Sequence, residues 1–146
     1  MKGINILLVE DNEAHIELIV RGLRKGNQAQ QIHVVRDGQE AVDYLFNKGR
    51  YGDKERFPPP GLVILDLKLH KMDGIEVLKR VRRGRGMRKV PVVIFSSSGY
   101  TRDIEASYRN GADKYIVKPI DPGEFQQRLR DIQSYLTENN TIPGDD

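Results

Sequence analysis

The chain has 146 residues, 38% of them apolar and 31% charged, and a net charge of +3. That length suits one compact domain with room for a core, and the balance of charge with aromatics present argues against disorder. With no cysteine, disulfides and thiolate metal sites are excluded.

Taken in chain order, the first apolar run covers residues 4–9 and closes at Glu10 and Asp11. It is too short and too soon acidic for a signal peptide, and no later run approaches membrane-spanning length, so a soluble cytoplasmic protein is expected. Ile16, Ile19, Val20 and Leu23 then form a helical stripe, with Gly26 suited to its end. A second strand is predicted over 32–35. Asp37 with Glu40 after it has the spacing of a capping box. Residues 47–61 form a long, polar, Pro-rich connection, of a length that is often functional or mobile.

The runs at 62–67 and 90–95 are nearly continuous in apolar residues, as strands buried on both faces should be. Between them, 79–89 carries a basic cluster that includes Arg82, Arg83, Arg85 and Arg88. Two glycines interrupt it and no aromatic is interleaved. It therefore reads as a solvated helix end and loop rather than a nucleic-acid grip. A fifth strand is predicted over 115–117. Asp121 with Glu124 then repeats the capping spacing, Pro122 fits the first helical position, and Phe125, Leu129, Ile132 and Leu136 form the last stripe. Tyr100, Ile104, Tyr108 and Tyr135 suit either ordinary core or a partly exposed partner face. Residues 1–137 are expected to make one domain and 138–146 a flexible tail, with no output domain expected. Five βα units in sequence imply an α/β doubly wound parallel sheet with helices on both faces.

In open parallel sheets, sites form outside the carboxyl ends of the strands. The strands deliver Glu10 and Asp11, then Asp66, then Ser96 to Ser98, then Lys118 and Pro119 to that edge. Three carboxylates together need a cation between them, and oxygen donors without Cys or His favour Mg²⁺. A magnesium ion, a lysine and a hydroxyl beside a carboxylate suit phosphoryl transfer to the Asp oxygen. No G-x-x-x-x-G-K-[ST] is present, so the chain does not look built to bind ATP. His15, His33 and His70 look structural or solvent-facing, although His15 follows Asp11 by one helical turn.

Glu10-Asp11, the D-L-x-L-x-x-x-D-G of Asp66 to Gly74, Ser96 and Lys118-Pro119 together resemble the receiver domain of two-component response regulators. The resemblance covers about residues 3 to 137 and implies a flavodoxin-like (βα)5 fold with strand order 2-1-3-4-5. It implies that Asp66 accepts the phosphoryl group from a sensor histidine kinase. Mg²⁺ would then be held by Asp11 and Asp66, by the Lys68 backbone carbonyl and, through water, by Glu10. Lys118 would pair with the phosphoryl group, Ser96 and Tyr115 would be the switch residues, and Lys118-Pro119 would be a cis peptide. Asp73 and Gly74 would begin a helix rather than join the site. The switched surface would be the fourth helix, fifth strand and fifth helix, used for a homodimer, a downstream protein or a phosphotransfer protein.

Three letters depart from the pattern. His70 stands where Pro is usual, Ser96 replaces the more usual Thr, and Lys68 lies beside the approach of attacking water. The long 47–61 insertion and the 92–98 stretch running into Asp103, Ile104, Ser107 and Tyr108 also resemble the small regulators partnered with bacterial phytochromes. Two other readings compete. A Mg²⁺-dependent phosphohydrolase would want an Asp where Lys68 stands, and a phosphate-independent binding module would have no need of the complete acidic set.

Overall fold

A computed structural model describes residues 4–26, 31–84, 86–87 and 89–140. The five expected strands form as β1 (Asn5–Val9), β2 (Gln31–Val35), β3 (Leu62–Leu65), β4 (Val92–Ser96) and β5 (Lys114–Val117). They pair in parallel in the order β2-β1-β3-β4-β5. Five α-helices join or follow them: α1 (Glu13–Gly26), α2 (Gly38–Leu45), α3 (Gly74–Arg83), α4 (Thr101–Arg109) and α5 (Pro122–Asn140). No helix among the described residues is long and apolar enough to cross a membrane.

The alternation of side chains along each strand divides the core into two layers. Ile6, Leu8, Ile64, Val93 and Phe95 face α1 and α5, where Ile19, Leu23, Phe125, Leu129 and Ile132 meet them. Leu7, Val9, Val63, Leu65 and Ile94 face the opposite way, toward Leu45 of α2 and Val77, Leu78 and Val81 of α3. Full burial of each such side chain contributes roughly 1.5–3 kcal/mol, so the two layers fix the central strands rigidly.

The helix starts follow the capping chemistry. Asp37 accepts the Glu40 amide at 2.7 Å, Asp73 that of Glu76 at 3.0 Å and Asp121 that of Glu124 at 2.9 Å. The Glu40 carboxylate reaches back one residue beyond the cap, to the Arg36 amide at 2.8 Å. Helix α5 continues to Asn140, past the boundary expected at 137. The rest of the expected tail, 141–146, lies outside the described residues, as do Arg85 and Arg88 of the basic cluster.

Within that cluster Arg82 is an internal strut. Its guanidinium donates to the carbonyls of Gly111 and Val90 and to Asp113 at 2.7–2.9 Å. Arg80 and Arg83 both approach Glu76. Much of the basic charge is thus committed within the fold.

The 47–61 connection is packed rather than loose. A short 3₁₀ turn, Gly49–Tyr51, buries Tyr51 in the α2–α3 layer. The Tyr51 ring lies 5.2 Å from that of Tyr44 and 4.9 Å from that of Phe57. Its hydroxyl bonds Glu40 at 2.5 Å, and burial beside that carboxylate pushes its pKa up to about 12. Asn5 and Tyr44 both donate to the Pro58 carbonyl, at 2.7 and 3.0 Å, which ties the segment's return to β1. Tyr51→Ala should lower the unfolding free energy by about 3 kcal/mol in urea titration, whereas Lys54→Ala on the exposed side should stay within about 0.5 kcal/mol. Equal effects would contradict the packed-insertion account.

Candidate functional site

Register brings the chemistry together. Val9 pairs with Leu65, so Glu10 and Asp66 leave adjacent strands side by side. The Asp66 amide is fixed on Val9 O at 3.1 Å, and the Glu10 amide on Val35 O at 3.0 Å. On the far side, Ser96 pairs with Val117, and the Lys118 amide donates to Ser96 O at 2.8 Å. Four strands therefore present their residues at one edge without help from flexible loops.

At the centre lies the Lys118 ammonium, which donates to Glu10 Oε1 at 2.6 Å and to Asp66 Oδ2 at 2.9 Å. All three side chains are at least nine-tenths buried. Burial and the neighbouring Asp66 charge raise the Glu10 pKa, opposed by the hydrogen bond from Lys118. The other Asp66 oxygen accepts the Lys68 amide at 3.1 Å, and the Asn12 amide donates to Glu10 Oε2 at 3.1 Å. Carboxylate oxygens of Glu10, Asp11 and Asp66 lie within 4.8 Å of one another. Such a set of hard oxygens, only partly neutralised by one ammonium, fits a divalent cation.

Close packing explains why a glycine, Gly74, starts the helix that follows β3. A Cβ there would lie 2.6 Å from the Asp66 carbonyl and 2.8 Å from Leu67 Cα. Asp73 and Gly74 are a helix cap and start, as expected, and their close approach braces the turn that carries Asp66.

Ser96 is buried, and its hydroxyl accepts the Ser98 amide at 3.3 Å. The Tyr115 hydroxyl donates to the Ser98 carbonyl at 2.7 Å, and burial raises its pKa. Ser98 also bonds Asp103 of α4 through its own hydroxyl. The expected cis peptide is a correction: no cis bond occurs among the described residues, so Lys118-Pro119 is trans. The proline amide accepts either isomer at little cost, and the trans form already delivers the Lys118 ammonium to both acids.

Two histidines read from the sequence as structural or solvent-facing touch the site. His15 Nδ1 lies 3.0 Å from Lys118 Nζ, and His70 Nδ1 lies 2.9 Å from Asp11 Oδ2. His33 instead packs on Tyr44 and Phe57. The signal for His15 was its place one turn after Asp11. For His70 it was the loop leaving the acceptor strand, which is bridged to Asp37 and turned by Lys71 at φ 66°.

These features define a doubly wound α/β protein whose carboxyl edge carries an acidic cluster that could hold a cation, beside one buried lysine. The response regulator receiver domain model matches residues 6–130. The probable methanogenesis regulatory protein FilR2 of Methanothrix harundinacea is 36% identical over 95% of this chain and 87% of its own length. Response regulator Rcp1 of Synechocystis is 33% identical over 95% of this chain and 92% of its own. Among solved structures, the phosphorylated cyanobacterial phytochrome response regulator RcpA superposes with a TM-score of 0.89 at 35% identity, covering 97% and 99% of the two chains. The Mn²⁺-bound form of Rcp1 superposes at 0.87 and 32% identity, covering 96% and 99%. The chain belongs to the response regulator receiver domain family, the signalling switches of two-component systems.

Asp11→Asn should weaken Mn²⁺ binding roughly tenfold or more in calorimetry. Glu10 must be ionised to help hold a cation, and its raised pKa means that protons compete for it earlier on acidification than for an ordinary carboxylate. Mn²⁺ affinity should therefore fall between pH 7 and about pH 5; an unchanged affinity would contradict the assignment.

Proposed function

We propose that the chain accepts a phosphoryl group from the histidine of a sensor kinase onto Asp66, and so switches a protein-binding surface. The observation that supports this best is the buried Lys118 ammonium, 2.9 Å from Asp66 Oδ2 and beside the acidic cluster. Asp66 forms a new P–O bond as the P–N bond of phosphohistidine breaks, and the released imidazole nitrogen takes a proton from solvent. Lys118 then follows the charge from the carboxylate to a phosphoryl oxygen.

Mg²⁺ is the cation assigned. Asp11, Asp66 and the Lys68 backbone carbonyl would hold it directly, with Glu10 acting through water. When bound, it would supply charge neutralisation for the phosphoryl oxygens. The oxygen donor set supports this choice, and the Mn²⁺-bound form of Rcp1 supports a divalent ion.

Ser96 and Tyr115 serve as the switch. If the Ser96 hydroxyl turns to the phosphoryl group, the Ser98 amide is released, and Ser98 is the residue that also holds Tyr115 and Asp103. A local hydrogen-bond exchange thus reaches α4 directly. The face it alters carries exposed Tyr100, Tyr108 and Val117. This α4-β5-α5 face is proposed as the surface for a homodimer, a downstream protein or a phosphotransfer protein. The likeness to RcpA and Rcp1 supports a phytochrome-type histidine kinase as the donor, with both acting in the cytoplasm.

Acetyl phosphate with Mg²⁺ should label the chain to about one equivalent and leave Asp66→Asn unlabelled. Retained labelling of that variant would contradict the assignment.

A further inference from the structure

An ammonium has three protons to donate, and the structure supplies an acceptor for each. Glu10 Oε1 at 2.6 Å and Asp66 Oδ2 at 2.9 Å take two. The third is His15 Nδ1, at 3.0 Å, offered by the first turn of α1. A nitrogen can accept there only if it carries no proton, so the ring must be the neutral tautomer with hydrogen on Nε2. Burial and the adjacent Lys118 charge both lower the His15 pKa, which keeps the ring neutral at physiological pH.

The ring is itself held in place. The His15 amide donates to Asn12 Oδ1 at 3.1 Å, which anchors the start of the helix. Its imidazole leans on Phe125 with centroids 5.7 Å apart, and Phe125 packs on Phe95 at 5.2 Å. Lys118 Nζ lies 5.9 Å from the Phe95 centroid, so ring, phenyl pair and ammonium form one packed unit. The charged groups facing the imidazole are Lys118, from the segment after β5, and Asp66, at the end of β3.

We propose that His15 is a positioning residue for phosphoryl transfer: its neutral Nδ1 fixes the Lys118 ammonium so that the N–H now donated to the Asp66 carboxylate can turn to the incoming phosphoryl oxygen without the lysine relaxing. The inference rests on the reading of Asp66 as acceptor and Lys118 as its partner. Without His15, the third proton of Lys118 has no acceptor in a buried site, and the ammonium is free to settle on Glu10 alone. Protonating His15 does the same and adds a like charge beside it.

The test measures the rate of phosphorylation of the full chain by acetyl phosphate with Mg²⁺ from pH 5 to 8, about the range over which histidine titrates. It compares the wild type, His15→Leu, His15→Gln and Asp66→Asn. His15→Leu keeps the apolar contact with Phe125 and loses the acceptor, whereas His15→Gln keeps an acceptor that does not titrate. His15→Leu should be roughly tenfold slower than wild type at neutral pH, and His15→Gln within about threefold, as expected for one hydrogen bond to a charged group. All forms should lose rate on acidification as the acidic cluster takes up protons, and the wild type should fall further, by a component that both variants lack. The ¹⁵N resonance of the Lys118 ammonium, read without any phosphoryl donor, should move in His15→Leu and far less in His15→Gln.

An unchanged rate and resonance in His15→Leu would overturn the proposal, and so would a His15→Gln rate as low as that of His15→Leu. The wild-type pH profile keeps the test open should His15→Leu fail to fold, because an acid loss in the wild type no larger than that of His15→Gln also overturns it. Labelling of Asp66→Asn would instead indict the reading of Asp66, leaving the lysine resonance as the separate readout for His15.

Discussion

A lysine ammonium held between two carboxylates, all three side chains buried, is the interaction on which this molecule turns. Removing those charges from solvent costs several kcal/mol each, and the mutual attraction repays it only when geometry is good. Here the geometry comes from the sheet. The Val9–Leu65 register sets Glu10 beside Asp66, and the Ser96–Val117 pair sets the origin of Lys118 opposite them. A slip of one residue in either pairing would turn these side chains into an apolar layer. The two hydrophobic layers, by holding the central strands in register, are therefore what makes the ionic centre affordable.

That centre leaves the acids underneutralised, since Glu10, Asp11 and Asp66 outnumber the one buried lysine. Burial, with the Asp66 charge beside it, raises the Glu10 pKa, and the excess of carboxylates makes the pocket receptive to cations. On the proposed function, an added cation would make room for an anionic group, so that cation and phosphoryl group each favour the other's presence. A hydrogen-bond chain from Ser96 through Ser98 to Tyr115 and Asp103 links this edge to α4. Gly74, pressed against the residues that end β3, lets α3 start close beneath the site.

Much of this was legible in the residues themselves. Strands buried on both faces announce themselves as unbroken apolar runs, and acids ending such runs fall at one edge by topology alone. Caps at Asp37 and Asp121 were readable because spacing there is local. The contacts that escaped are those made across the chain by side chains with an innocent reading. His15 meets Lys118 over a sequence separation of 103, and nothing local marks that approach. His70 reaches Asp11 only because its loop is bridged to Asp37. The 47–61 connection looked free because its polar letters dominate, while Tyr51 and Phe57, the residues that pack it down, are few. The trans Lys118-Pro119 bond corrects an expectation that came from family resemblance rather than from these residues.

Because Lys118 bonds Glu10 and Asp66 alike, and Asp11 stands beside them, the central claim is that one particular acid of the three carries the phosphoryl group. Reducing the phosphorylated chain with borohydride converts an acyl phosphate to an alcohol, and peptide mass mapping then locates the altered residue. The account predicts homoserine at position 66 and unaltered acids at positions 10 and 11. Reduction at Glu10 or Asp11, or no reducible acyl phosphate on a stoichiometrically labelled chain, would contradict it.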